Sequence, residues 1–533
     1  MTTVPELQFS LLTEPLIRYR CASDGRTVAA NLPELFVVLA ADQVRDYPAL
    51  RPHQRHPWHA FLVQLAAIAL HKAERSVVFE TAEAWRDALM ALTPDHPDGA
   101  AWCLVSPPNR PAFMQAADPS WKILDWDTVF QTPDELDMLG TSKNHDLKGS
   151  RMRLSNFDDW LFSLVSLQTQ EGSNSGSHKG ISRMNSGSGS RSGIGVLPKG
   201  YAGNRWLRDL SILQKTRSHI ADTYNLKSDN GLALVWLQAW DGESSIPFSN
   251  LDPLYIEIGR RVRLFEASGK LFARRTKTPV LRIDSGARKG VTGDPWMPVD
   301  ISDGTAKSLS IQGSGFNYKL ICRILFTGEY VKSDIQIVQS TDGNGLVLIA
   351  QGVARGNSKT SGYHERRVPI SPKLRGLLMG NQKATLEHLS KLRIAAIADM
   401  RKLLWIALAV LFANGKSGDS SDSNKTKASK FVEPFETIED ARFFDDLNEE
   451  IEATDPAAQR MQWLLGLVDR AESVLKSAFD AGPRNGIQKY RAQSAALSRF
   501  HDGLHSEKSP LTELSNHYRQ QALNRQEETS DHV

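Results

Sequence analysis

Apolar and polar residues alternate in three different rhythms along this chain of 533 residues. In the first part, Phe9–Leu12 and Leu16–Tyr19 are short and strand-like. Leu32–Leu39 and His59–Lys72 carry apolar residues at helical spacing and predict helices. Pro107–Asp125 is rich in Pro and Trp and predicts irregular structure. From Leu232 to about Ile370 the runs are β-branched or alternating. Leu254–Ile258, Val262–Phe265, Lys319–Phe326, Ile335–Val338 and Gly345–Ala350 predict strands, with a hairpin turning at Ala267-Ser268-Gly269-Lys270. After Pro372 the period becomes 3.6. Leu374–Asn414, Ile438–Ala453, Pro456–Ala481 and Gly486–His505 predict an up-and-down bundle of four helices. Pro456 suits a helix start, and Gly482-Pro483 a helix stop. Gly415–Lys427 predicts a polar connection, and the tail after Pro510 a frayed end. The expected fold class is α+β: a mixed α/β body over residues 1–372 and a four-helix bundle with a polar tail over 373–533.

Length and composition narrow this picture. The chain is too long for one ordinary core. Apolar residues are 41% and charged residues 23%, with twelve Trp and twenty Phe, so real cores are expected and global disorder is excluded. Cys21, Cys103 and Cys322 are far apart, which excludes a disulfide scaffold or a zinc ribbon and fits a reducing, cytoplasmic setting. MTTVPELQFSLLTEPL has no signal-peptide pattern. The most apolar segments, Ala60–Leu70 and Leu403–Ala413, are shorter than the roughly 20 residues of a membrane helix. They read as buried helices, and no membrane association is expected.

The formal net charge is only +3, so any nucleic-acid footprint must be local. Four places qualify. No acidic residue lies between Glu171 and Asp209, while Lys179, Arg183, Arg191, Lys199, Arg205 and Arg208 are basic. The Gly/Ser-rich stretch 172–203 also holds Ile181, Met184, Ile194, Val196, Leu197 and Tyr201, too many apolar residues for a plain linker. It reads as a partner-contacting loop with Arg183 and Arg191 placed for phosphates. The second place is the hairpin at Lys270, followed by Arg274, Arg275 and Lys277 and flanked by Arg260, Arg261 and Arg263, charges suited to phosphate positioning. The third is LGTSKNHDLKGSRMR (Leu139–Arg153), where Lys143, Lys148, Arg151 and Arg153 surround Asn144 and His145, a mixture suited to RNA backbone or base edges. The fourth is Gly352–Thr360. Its Asn357, Ser358, Lys359 and Thr360 can bring small donors close to a groove, with Glu365-Arg366-Arg367 behind them.

Enzymatic readings are weaker. HExxH, GxSxG, EF-hand and paired CxxC patterns are absent. His53, His56 and His59 cluster near a helix start without metal-ligand partners in sequence. Gly352–Thr360 follows a strand as a P-loop would, but two residues separate Gly356 from Lys359 and no βαβ unit surrounds it. A P-loop nucleotide-binding protein, or a metal-dependent nucleic-acid enzyme using His145 and His364, remains the alternative. The favoured reading is a non-enzymatic chain with no cofactor and no metal.

The order of these features resembles the large subunit of the type I-E CRISPR Cascade surveillance complex, the CasA family. A PAFMQ segment (Pro111–Gln115), TSKNHDLK, GISRMNSGSGSRSG, a Lys-tipped hairpin, RGNSKTSGYHERR (Arg355–Arg367) and a helical C-terminal part follow one another over nearly the whole chain. The resemblance implies an antiviral-defence subunit that recognises the protospacer-adjacent motif in duplex DNA, largely from the minor groove, and helps open the duplex. Base pairing with the guide reads the remaining sequence. Implied partners are the CRISPR RNA, double-stranded target DNA, the backbone, small and 5′-handle-binding subunits, and a helicase-nuclease. The family's glycine loop is similar to Gly172–Gly180, with Gly176, Lys179 and Gly180 as DNA contacts. Its lysine finger corresponds to Lys270 and its wedge to Asn357–Thr360. Its guide-RNA loop corresponds to Thr141–Lys148, through Ser142, Lys143, Asn144, His145 and Lys148. The bundle is expected to dock on neighbouring subunits or the displaced strand, with Lys391, Arg393, Arg401 and Lys402 as candidates. Two departures stand out: cysteines that cluster beside the lysine finger in some members are missing, and a wedge glutamine found in others is replaced by Asn357-Ser358-Lys359-Thr360.

Overall fold

The middle of helix Arg55–Lys72, from Ala60 to Leu70, is apolar on nearly every side, and a helix of that kind must be enclosed by other elements. In the computed structural model, which describes residues 6–120, 123–126, 128–137, 155–173, 175–185, 189–356, 359–380, 382–416 and 421–530, every residue from Ala60 to Leu70 is buried. Helices Phe157–Gln170 and Ala202–Tyr224 pack against it, as does strand Leu251–Ile256, itself buried throughout. Gln64 is the one polar residue between Ala60 and Leu70. Its side-chain amide donates to the carbonyls of Leu254 and Tyr255 at 3.1 and 3.0 Å, which ties helix to strand and leaves no orphaned donor.

The chain forms two units. The first contains residues 1–316 and 328–367, the second 317–327 and 368–533. The fold is mixed α and β with a C-terminal helical region. In the first unit the described strands form small sheets of two or three strands rather than one large sheet. Two matter for the site: strands Val262–Ala267 and Lys270–Arg275 with Thr128–Phe130, and strands Gly193–Leu197, Leu346–Gly356 and Lys359–Ile370.

In the second unit, Lys383–Phe412 packs against Asp422–Glu452, Pro456–Ser477 and Gly486–His505, forming the bundle. Asp455 caps the third of these by accepting from the amides of Ala457 and Ala458, both at 3.1 Å, with Pro456 in the first turn. Arg393 lies inside the bundle. It pairs with Glu450 at 2.6 Å and sits 4.2 Å from the Trp463 ring centroid, so it is not an exposed docking residue. Lys391 and Arg401 are paired with Glu387 and Glu436.

Four expectations are corrected. Lys319–Phe326 is part of a helix, Tyr318–Phe326, and belongs to the second unit. Tyr318, Ile321, Cys322 and Leu325 are buried at helical spacing, and the Asn317 side chain caps the start by accepting from the Leu320 amide at 2.9 Å. Short apolar runs fit both periods, and the cap decides. Ile335–Val338 is not a strand; it begins inside a single 3-10 turn, Asp334–Gln336. The polar connection 415–427 shrinks because helix Asp422–Glu452 begins inside it, capped by Ser421. The tail after Pro510 is helical over Thr512–Ser530.

The three clustered histidines take separate partners. His53 meets Asp137 at 2.8 Å, His59 meets Asp209 at 2.8 Å, and the His56 ring packs on Gly193, where a Cβ would lie 2.2 Å from Nδ1. Among the described residues no group of three His, Cys, Asp or Glu is arranged to hold a metal. Burial, then the charge of Arg205, lowers His59 from 6.5 to about 4. Burial, then Arg191, drives His56 well below its ordinary value. Between about pH 6.5 and 4 the unfolded chain therefore takes up protons that the folded chain refuses, and stability falls as pH falls through that window. For His59 the loss is about 3 kcal/mol. The melting temperature between pH 7 and 4 should drop more steeply in wild type than in His59→Gln; parallel curves would refute this.

Candidate nucleic-acid interface

The Lys270 hairpin is set by its turn. Its strands pair from Val262↔Arg275 to Ala267↔Lys270, leaving Ser268-Gly269 as a two-residue loop. Both have positive φ, 54° and 74°, the conformation whose twist matches that of the flanking strands. Phe265 and Phe272 stack across the strands with centroids 5.5 Å apart. Lys270 is thereby exposed at the tip of a stiff ribbon. Behind it Arg274 lies over Phe265 and Arg275 over Phe130, at 5.3 and 5.0 Å. Both arginines keep part of their surface accessible.

The glycine-rich stretch is anchored to the same hairpin. It leaves helix Phe157–Gln170 at Glu171 and returns at Ser190, where Glu171 and Ser190 form a β-bridge. Within the loop the Thr278 amide donates to Ser177 O at 2.9 Å and the Lys179 amide to Thr278 O at 2.8 Å. Thr278 lies three residues beyond the last residue of the Lys270 strand, so loop and hairpin root hold each other. At Gly180 a Cβ would come 2.1 Å from the Gly172 carbonyl carbon, which only glycine avoids. Gly176 is exposed and faces open space, and Lys179 is partly exposed.

A third element meets them there. Gly352–Thr360 is not a strand–loop–helix but part of a hairpin, Leu346–Gly356 and Lys359–Ile370. A P-loop needs a helix after its glycines to face the phosphates, and a returning strand stands in that place. Asn357 and Ser358, and the side chains of Lys359 and Thr360, lie outside the described residues. The rising strand pairs with Gly193–Leu197 from Val347↔Leu197 to Gln351↔Gly193. Beyond that register Ser190 Oγ donates to Val353 O at 2.6 Å and accepts from Val353 N at 3.1 Å.

Glu171 ties the three elements together. It is 3% exposed. Its carboxylate meets Arg260 at 2.9 Å, just before the Lys270 hairpin, and Arg355 at 2.6 Å, near the tip of the long hairpin. Arg260 also donates to Gly172 O at 2.7 Å and to Lys179 O, closing the glycine loop over itself. Burial alone would raise the Glu171 carboxyl, but Arg260 and Arg355 hold it below its ordinary value.

Two of the expected phosphate contacts are withdrawn. Arg183 and Arg191 are each 1% exposed. Arg183 pairs with Glu257 at 3.2 Å and lies 4.2 Å from the Tyr255 ring centroid; Arg191 pairs with Asp294 at 2.5 Å. Their charge is spent inside the protein, since a guanidinium buried against a carboxylate cannot also reach a phosphate outside. Arg205 and Arg208 of the same run face Asp209, and Arg208 also Asp342. The guanidinium of Arg263 is buried among carbonyls. The expected guide-RNA loop, Ser142, Lys143, Asn144, His145 and Lys148, lies outside the described residues, and with it the His145 of the metal-dependent alternative. Glu171, Arg260 and Arg355 were missed as a set. The one available signal was that the acid-free stretch begins immediately after Glu171.

No protein-family model matches the sequence, and no curated protein matches it significantly. Solved structures do. The CRISPR-associated protein Cse1 from Acidimicrobium ferrooxidans superposes with a TM-score of 0.65 at 16% identity, covering 96% of this chain and 99% of that one. This chain has the Cse1 fold. CasA (Cse1) of Thermus thermophilus gives a TM-score of 0.58 at 14% identity, over 93% of this chain and 98% of that one. A chain of a CRISPR RNA-guided surveillance complex gives 0.50 at 12% identity, over 93% and 100%. The likeness to Cse1 therefore runs through both units.

Glu171→Ala should cost about 3–5 kcal/mol, because Arg260 and Arg355 would be left buried without a counter-charge. Chemical denaturation measures this. Limited proteolysis should cut the variant faster between Gly172 and Gly189. A loss under about 1 kcal/mol with an unchanged cleavage pattern would show that the arginines are held by other groups.

Proposed function

We propose that this chain is the large subunit of a type I-E Cascade and reads the protospacer-adjacent motif in duplex DNA. The observation that carries the reading is the common root at Glu171: the glycine loop, the Lys270 hairpin and the 346–370 hairpin are joined there, in a chain with the Cse1 fold. Its natural occupant is a duplex. An exposed Lys270 on a stiff ribbon supplies a phosphate or groove contact. Gly176 and Lys179 let backbone approach closely, and Asn357–Thr360 act as the element that starts strand separation. Arg274 and Arg275 remain candidate phosphate contacts. The reading is non-enzymatic: the chain positions DNA, base pairing with guide RNA reads the rest, and the chain recruits a helicase-nuclease that degrades the target. The guide RNA would be met by Ser142–Lys148, and the bundle would contact the other subunits of the complex.

In a reconstituted complex, Lys270→Ala should weaken binding of duplex carrying the adjacent motif about tenfold and lower the salt slope by about one. A Lys359→Ala/Thr360→Ala double variant should weaken the same duplex. Both defects should shrink on target whose strands are already separated. If both variants bound the duplex as wild type does across the salt series, the reading would fail. Expression with the partner subunits should also co-purify a short RNA of uniform length.

A further inference from the structure

A cavity of about 740 Å³ lies in the first unit, away from the Glu171 cluster. Its walls are strands Ile17–Cys21 and Val44–Asp46, the start of helix Arg55–Lys72, the turn from Leu197 to Ala202, and part of the long hairpin. Six cations line it: Arg20, Arg45, Arg55, Lys199, Arg205 and Arg367. Asp46 is the one carboxylate in the lining. The carboxylates within reach do not balance these charges. Asp46 takes Arg20 at 3.2 Å, and Glu365 is shared by Arg367 at 2.8 Å and Arg55 at 3.9 Å. Arg205 reaches only Asp209, at 3.9 Å, and Asp209 is already engaged by Arg208 and His59. Arg45 and Lys199 have no carboxylate at ion-pair distance among the described residues. Arg205 is 11% exposed, and its Nε has no hydrogen-bond partner among the described residues.

A cavity with such a surplus takes an anion, and its rim points to more than phosphate. Tyr201, 45% exposed, lies in the lining at the start of helix Ala202–Tyr224. It does not cap that helix; Asp42 does, accepting from the amides of Tyr201 and Asn204 at 3.1 and 2.9 Å. Its ring is left to stack on a planar group. The volume is within the 300–1,000 Å³ or so of small-ligand sites. We propose that this cavity binds a nucleotide, its phosphates held by Arg45, Lys199 and Arg205 and its base stacked on Tyr201. The nucleotide comes either free in solution or as one unit of a single strand. The proposal does not depend on the adjacent-motif reading, because none of these residues belongs to the Glu171 cluster.

The test uses the full chain alone, with ADP and a 5′-phosphorylated thymidine tetranucleotide as probes in calorimetry. At least one should bind with a Kd of order micromolar. Similar affinities indicate a free nucleotide, and a tetranucleotide at least about tenfold tighter indicates a strand; both support the proposal. Arg45→Glu/Lys199→Glu should lower affinity more than about tenfold, and Tyr201→Ala about tenfold. Arg45 and Lys199 are exposed, so the folded state should survive, as a melting curve verifies; Arg45→Ala is the milder substitute. No binding by either probe up to millimolar concentration would overturn the proposal. So would wild-type affinity in the double reversal, or displacement of ADP by pyrophosphate or a polyglutamate peptide as effectively as by ADP itself.

Discussion

The buried carboxylate of Glu171 is the constraint on which the proposed DNA-facing surface depends. A lone carboxylate in that position would be expelled or protonated, and two lone guanidiniums would be as costly. Arg260 and Arg355 meet it from two different hairpins, and the Gly172 and Lys179 carbonyls complete the hydrogen bonding of Arg260. Removing the carboxylate leaves both guanidiniums uncompensated. The roots of the three loops are thus parts of one electrostatic object.

The same logic explains the small net charge. Three of the six basic residues between Glu171 and Asp209 (Arg183, Arg191 and Arg208) are neutralised inside the fold by Glu257, Asp294, Asp209 and Asp342, the cluster at Arg183 and Arg191 being the most enclosed. Desolvation raises the Glu257 carboxyl, while Asp294, facing both arginines, is held below its ordinary value. Lys270, Lys179, Arg45 and Lys199 by contrast stay accessible at the surface. A sum of +3 reports neither the interior arginines nor this uneven exterior.

Local chemistry was legible wherever it was self-contained. The turn at Ser268-Gly269, the helix start at Pro456 and the enclosed helix over Ala60–Leu70 all follow from residues within a few positions of each other, and the structure holds each of them. The helix Tyr318–Phe326 was misread because nine residues of YKLICRILF satisfy both periods, and only the Asn317 cap and the apolar face it presents to Lys383–Phe412 choose between them. The exposure of Lys270 at a two-residue turn was legible, whereas the ionic root behind it at Glu171 was not. Arg183 and Arg191 looked equally available because their counter-charges, Glu257 and Asp294, stand about 70 to 100 residues away, beyond any local pattern.

The course of the backbone through helix Tyr318–Phe326 has a consequence for dissecting the molecule. The polypeptide enters the second unit at Asn317, leaves it after Thr327 and re-enters at Val368, so three strands of backbone connect the units and no single cut separates them. A fragment ending near Pro372 would keep this helix while losing the bundle residues that cover it, with Tyr318, Ile321, Cys322 and Leu325 presented to water as a sticky stripe. Clean separation requires replacing residues 317–327 by a short polar turn. The inserted helix therefore works as a covalent staple, making the boundary of the bundle a property of two distant stretches of sequence.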